Sequence, residues 1–260
     1  MLRKLSAEQQ RSVRHWAMEF VVVVAGVLLA LWLQQWDERR RAKQDMVAAE
    51  AAIHGEVLAS LEALVWRDAI SQCHVDRATK LKAMLLAEGN RWPGLNENAL
   101  LENTIGQATG VETVIQGVYQ RPFEPYSTDA WDSALTTGAL APMDRQRLAK
   151  LTALYGQLHF LNAVQERENR AATTLSALAL PQELTADTRT AMLGALYEVD
   201  TSRFMFTYQG ASALADRMKE LGWNDRAEVD RWIADEQAAD RKQGSKWRPC
   251  VKSERNPFKS

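Results

Sequence analysis

Residues 20–33 read FVVVVAGVLLALWL. The stretch carries no charge, and its one hydrogen-bonding side chain is the indole of Trp32. Counted outward to Trp16 and Trp36 it is about 21 residues, or ~30 Å as a helix, the thickness of a bilayer's hydrocarbon core. Trp16, Trp32 and Trp36 suit the two interfaces, where an aromatic ring with a polar N–H is favoured. Glu19 is the one charge near the run. At its end a carboxylate reaches the head groups at far lower cost than at mid-bilayer, and the alternative is a polar contact between packed spans. Gly26-x-x-x-Ala30 offers a small-residue face for span packing.

A cleaved signal peptide fits the basic start and the apolar run but not the residues after the run. Residues 31–38 read LWLQQWDE, with no small-x-small cleavage site. An uncleaved anchor is therefore expected over 16–36, after a short cytoplasmic N-terminus at 1–15. Arg3, Lys4, Arg11 and Arg14 precede the span, and Arg39, Arg40, Arg41 and Lys43 come after it, so the positive-inside count ties. Asp37 and Glu38 on the far side, with the free amine on the near side, tip it toward a cytoplasmic N-terminus.

The rest of the chain reads as a helical body over 37–241. Asp37 to about Glu88 has no Pro and only Gly55. Ile53, Val57, Leu61 and Leu64 make a helical stripe continuing from the span, interrupted near residues 66–72. A shorter helix is expected at about 96–108, then a loop over 109–129. Tyr119, Phe123 and Tyr126 of that loop, with Trp131 just after it, either tuck it onto the bundle or stack on a ligand. Further helices are expected from Asp144 to about Ala177, from Thr185 to about Leu221 with an irregularity near 200–202, and from Asp225 to about Arg241 with Asn224 as cap. No alternating strand pattern and no repeat is legible. The fold class is all-α: one transmembrane helix running into a long helix of an extramembrane bundle.

Charge is unevenly spread along the 260 residues. Residues 1–45 carry net +3, 46–240 net -10 and 241–260 net +6. The basic tail, 242–260, lies on the acidic body or touches anionic lipid. The whole chain nets only -1, which excludes an ordinary nucleic-acid binder. Its mean hydropathy of -0.34 excludes many spans. Cys73 and Cys250 are the only cysteines. In an oxidising compartment they are candidates for one long-range disulfide, and in a reducing one they are two thiols. A straight helix would carry Cys73 ~55 Å beyond Trp36, so a disulfide there and a lipid-bound tail exclude each other.

Constellations for chemistry are sparse. There is no Gly-rich phosphate loop, no Gly-x-Ser-x-Gly elbow and no His-Glu-x-x-His. Glu50 and His54 read as an i, i+4 surface pair rather than a metal site. His54 and His74 are too far apart on one helix to share a metal. Glu166-Arg167-Glu168-x-Arg170 reads as a solvated face. Trp131-Asp132, beside Thr136-Thr137-Gly138, reads as a helix cap packed on its end. No catalytic residue, cofactor or metal is expected, and the chain is read as a non-enzyme.

Two blocks carry a resemblance. Glu19-Phe20-x-Val22-Val23-x-x-Gly26-Val27-x-Leu29-Ala30, followed by Gln34-Gln35-Trp36-Asp37-Glu38, resembles the opening of a large bacterial family of membrane-anchored proteins without assigned activity. The family form has a Gly before the Glu and closes in Asn-Asn-Trp-Asn-Glu. Here Met18, Gln34, Gln35 and Asp37 depart from it. Ala130-Trp131-Asp132-Ser133-Ala134 with Thr137-Gly138-Ala139-Leu140 resembles a later signature of the same family. The resemblance implies a single-pass protein of the bacterial inner membrane with a periplasmic helical domain, and no reaction. The expected role is an anchored scaffold or interaction module, with the lipid bilayer and an envelope protein or a second copy as partners. The alternative is a ligand-sensing bundle that signals through a membrane partner.

Overall fold

The apolar stretch lies inside one unbroken helix, α1 (Ala7–Ala69). This computed structural model describes residues 7–69, 71–87, 89–95, 125–243 and 255–259. Between 7 and 69 the chain has no proline and only two glycines, so nothing stops the helix for 63 residues, or ~95 Å. Its two halves meet different surroundings. Phe20 through Leu33 are bare, whereas Ile53, Val57 and Leu61 are wholly buried and Leu64 nearly so. The spacing of 4, 4 and 3 puts those four on one face, and Met46 and Ala49 extend it toward the span.

α1 ends where Asp68 and Ser71 interrupt the apolar stripe, and α2 (Ser71–Ala87) comes next. The body then adds α3 (Asp129–Thr137), α4 (Arg145–Ser176), α5 (Ala186–Gln209), α6 (Ala211–Glu220) and α7 (Arg226–Gln243). Asp144 caps α4 by accepting from the N–H groups of Gln146 and Arg147, and Thr185 caps α5 through Thr188 N–H. Gly138, at φ 71°, closes α3 in the left-handed conformation.

Buried side chains form two clusters, and α4 serves both. The first joins Ile53, Val57 and Leu61 to Leu151, Leu154 and Leu158 of α4 and to Leu214 and Met218 of α6. The second joins Leu81 and Leu85 of α2 to Leu175 of α4 and Leu196 and Val199 of α5. A two-residue ladder finishes the second cluster. β1 (Arg91–Trp92) pairs antiparallel with β2 (Gln182–Glu183), Arg91 opposite Glu183 and Trp92 opposite Gln182. The sequence shows no strand there because two residues are too short to alternate. Trp92 is wholly buried, and its indole N–H donates to the Leu178 carbonyl at 2.8 Å.

The expected single helix from Thr185 to about Leu221 is divided at Gly210, not at 200–202, where α5 runs through. A Cβ built on Gly210 would lie 2.2 Å from the Phe206 carbonyl oxygen, so the tight corner there admits glycine alone. Gly210→Ala is expected to cost about 1–3 kcal/mol, as forced overpacking does. Its denaturant midpoint against wild type checks this. The last helix starts one residue later than Asn224 would cap it, with the Asp225 carbonyl accepting from Val229 N–H. The helix expected at 96–108 and the aromatics Tyr119 and Phe123 lie outside the described residues.

Candidate functional site

α1 is the spine of the body, and its polar side chains each fasten a different element. Glu50 and His54 do not pair with each other as their spacing suggests. Glu50 receives Arg147 of α4, whose Nε lies 2.7 Å from Glu50 Oε1 and whose Nη1 donates to the Leu221 carbonyl at 3.0 Å. His54 meets Asp225 at 2.8 Å, with its ring against Trp223. Both partners come from distant sequence, which is why spacing alone gave the wrong pairing.

Glu56 holds α3. Its carboxylate accepts from the Tyr155 hydroxyl at 2.6 Å, the Ser127 hydroxyl at 2.7 Å and the Ala130 N–H at 2.8 Å. The last is a free donor of the first turn of α3, so a side chain on one helix caps another. Trp131 then stacks on Tyr155, with centroids 4.7 Å apart, and Tyr126 lies against Phe206. The aromatics described here therefore fasten the segment to the bundle. The block Ala130–Ala134 with Thr137–Leu140 is α3 and its glycine cap, and Asp132 accepts from the Thr128 hydroxyl at 3.0 Å.

The far end of α1 carries a buried ion pair. Arg67 donates through Nη2 to Glu168 of α4, and their side chains are 7% and 1% exposed. The expected solvated face of α4 is thus only half right. Glu166 and Arg170 do pair across one turn at 3.6 Å, but Glu168 faces inward. The Arg67 guanidinium sits over the Phe206 ring, 3.6 Å from its centroid. Among the described residues its Nη1 is buried without a hydrogen-bond acceptor. A buried donor left unmade costs about 1–3 kcal/mol, so this nitrogen marks a place that an acceptor would stabilise.

Arg67 and Glu168 line a cavity of about 220 Å³, together with Ser71, His74, Arg203 and the tail residues Arg255 and Asn256. A second cavity of about 360 Å³ runs on between α2 and α5, lined by Val75, Ala78, Leu86, Leu193 and Leu196. His74 and Arg203 line both. Burial, and then the Arg67 charge, push the His74 pKa down to about 3, so His74 is neutral in the fold.

Two of the groups that make the fold labile to acid, with the same sign, are His74 and Glu56. The unfolded chain takes a proton on His74 near pH 6.5 and the folded chain only near 3, so stability falls as pH descends through that window. For Glu56, burial raises the pKa, but the hydrogen bonds from Tyr155, Ala130 and Ser127 outweigh it and hold the carboxyl below its usual range. Its contribution is complete above the ordinary carboxylate range and is lost as pH falls further. Urea midpoints from pH 7 to pH 3.5 should fall steadily. His74→Leu should flatten the upper part of that fall and Glu56→Gln the lower part.

The last described residues of the basic tail dock on the acidic body. Asn256 donates to the Arg226 carbonyl at 2.8 Å and to Asp230 at 2.9 Å, Lys259 pairs with Asp230 at 2.6 Å, and Phe258 is buried. The hydrogen bonds from Lys259 and Asn256 hold the Asp230 carboxyl below its usual range. Arg255 shares the cavity with Arg67, which stands ~46 Å along α1 from Trp36. The tail's end is thus bound to protein far along the helix from the apolar run.

The residues expected at a membrane interface are all on the bare half of α1. Trp16, Trp32, Trp36 and Glu19 are exposed, and Arg40 lies over the Trp36 ring at 5.7 Å. Gly26 has nothing within 4 Å of a would-be Cβ, and Ala30 is likewise exposed. The side chain of Cys73 and all of Cys250 lie outside the described residues. The residues that sequence reading missed are Arg67 and Glu168, which are 101 positions apart and carry no local signal. No family model, no curated protein and no solved structure matches the chain.

Proposed function

We propose that the chain is a single-span protein of the bacterial inner membrane whose continuous helix holds a non-catalytic interaction module in the periplasm. The observation that carries this is α1 itself. One apolar window, of mean hydropathy 1.8 with none of it buried, runs without a break into a helix whose far half is the core of a folded body. A water-soluble protein rarely leaves so large a contiguous apolar surface bare. Lipid would cover the fourteen residues Phe20–Leu33 at a length that matches the bilayer core.

The stalk between Trp36 and Met46, where packing on the core begins, is ~15 Å, so the body would stand close to the membrane surface and extend away from it. Gly26 and Ala30 stay free for a second span, which makes a second copy or a membrane protein the fitting partner. The likeness of the two sequence blocks to the bacterial anchored family belongs to the same proposal. So does the Cys73–Cys250 disulfide. His74, next to Cys73, and Arg255, five residues after Cys250, line one cavity, and five residues of chain span at most ~18 Å.

Alkaline extraction of membranes from expressing cells tests the anchor. The full chain should stay with the pellet, and a chain lacking residues 1–36 should be released as a folded, soluble body. Release of the full chain would overturn the proposal.

A further inference from the structure

The two cavities share His74 and Arg203 as wall residues and differ in character, and the combination selects a ligand. In one stand Arg67, Arg203 and Arg255. Arg67 is more than nine-tenths buried and has one nitrogen without an acceptor among the described residues. Arg255 makes no ion pair among the described residues, while Arg203 is held by Asp200 at 2.8 Å. Asp68 and Glu168 line the same cavity, so it holds three arginines to two carboxylates. The other is walled by Val75, Ala78, Leu86, Leu193 and Leu196, with Lys82, Tyr197 and Asp200 beside them. The two volumes, about 220 and 360 Å³, together fall in the range of small-molecule sites.

We infer that this groove binds an amphipathic anion, a carboxylate or phosphate head on a short unbranched apolar chain, with the head among the three arginines and the chain between α2 and α5. Arginine's planar fork suits both heads. An uncharged alcohol leaves the arginines unanswered, and a bare anion leaves the apolar half empty. The inference is independent of the membrane anchor and stands or falls on binding alone.

The test is titration calorimetry of the full chain in zwitterionic nanodiscs, with empty nanodiscs as blank and octanoate and octyl phosphate as probes. At least one should bind saturably at one per chain, and the tighter of the two identifies the head. Shortening octanoate to hexanoate should weaken binding about fifteenfold, at ~0.8 kcal/mol per buried methylene. Arg203→Gln with Arg255→Gln should weaken binding at least tenfold, and so should Leu86→Glu, which changes an exposed wall residue. The melting temperatures without ligand should be little changed, which separates lost binding from lost folding. Absence of saturable binding by both probes would overturn the inference. So would equal binding of 1-octanol, or of acetate and inorganic phosphate, or unchanged binding in the variants.

Discussion

Glu168→Leu lowers the stability of the chain by about 3–5 kcal/mol, the cost of leaving one member of a buried ion pair without its partner. Arg67 is the member left behind. It lies under Phe206, with little access to water, and Glu168 is its only carboxylate partner among the described residues. For a body of this size the loss corresponds to a melting temperature lower by roughly 10 °C. The double variant Arg67→Met with Glu168→Leu should recover most of the loss, because two apolar side chains of similar volume replace two desolvated charges. Thermal unfolding of the single and double variants, in mild detergent, reads this directly. A double variant as unstable as the single would mean that the pair holds α1 to α4 by more than its own compensation.

Trp92→Ala is the second large effect, about 3–5 kcal/mol for emptying a buried aromatic site. Trp92 fills the second cluster, and its N–H fastens β1 to the Leu178 carbonyl in the 3-10 turn Ala177–Ala179 that follows α4. Trp92→Phe keeps most of the packing and leaves that carbonyl unpaired, so it should lose only about 1–2 kcal/mol. The two clusters give the effect a location. Hydrogen exchange in Trp92→Ala should rise across 81–95 and 175–199 and stay low across 53–61. An equal rise everywhere would show that the body opens as one unit.

How much of this was legible depended on whether the cause was local. The stripe of Ile53, Val57, Leu61 and Leu64, the interruption near 66–72, and the helix starts at Asp144 and Thr185 all have causes within a turn or two of helix. Each stands in the structure where the sequence puts it. The break at Gly210 was missed because a glycine in a helical pattern is often tolerated, and only the Phe206 carbonyl shows that this one is required. The polar fastenings of α1 were misread for a different reason. Glu50, His54, Glu56 and Arg67 look like ordinary surface residues by composition. Their partners, Arg147, Asp225, Tyr155 and Glu168, come from α4 or the start of α7, and no period in the sequence relates them. The groove is the same case. Its arginines come from α1, α5 and the tail, and no period in the sequence relates them.

The most direct test of the anchored, outward-facing body is cysteine labelling in intact spheroplasts with a membrane-impermeant maleimide. Both native cysteines are first replaced by serine, and a single cysteine is placed at Thr136→Cys, on the exposed end of α3, or at Ser6→Cys, ahead of the apolar run. Position 136 should label in intact spheroplasts and position 6 only after lysis. Labelling of position 6 with protection of 136 would place the body in the cytoplasm, and labelling of both only after lysis would contradict a crossing of the membrane.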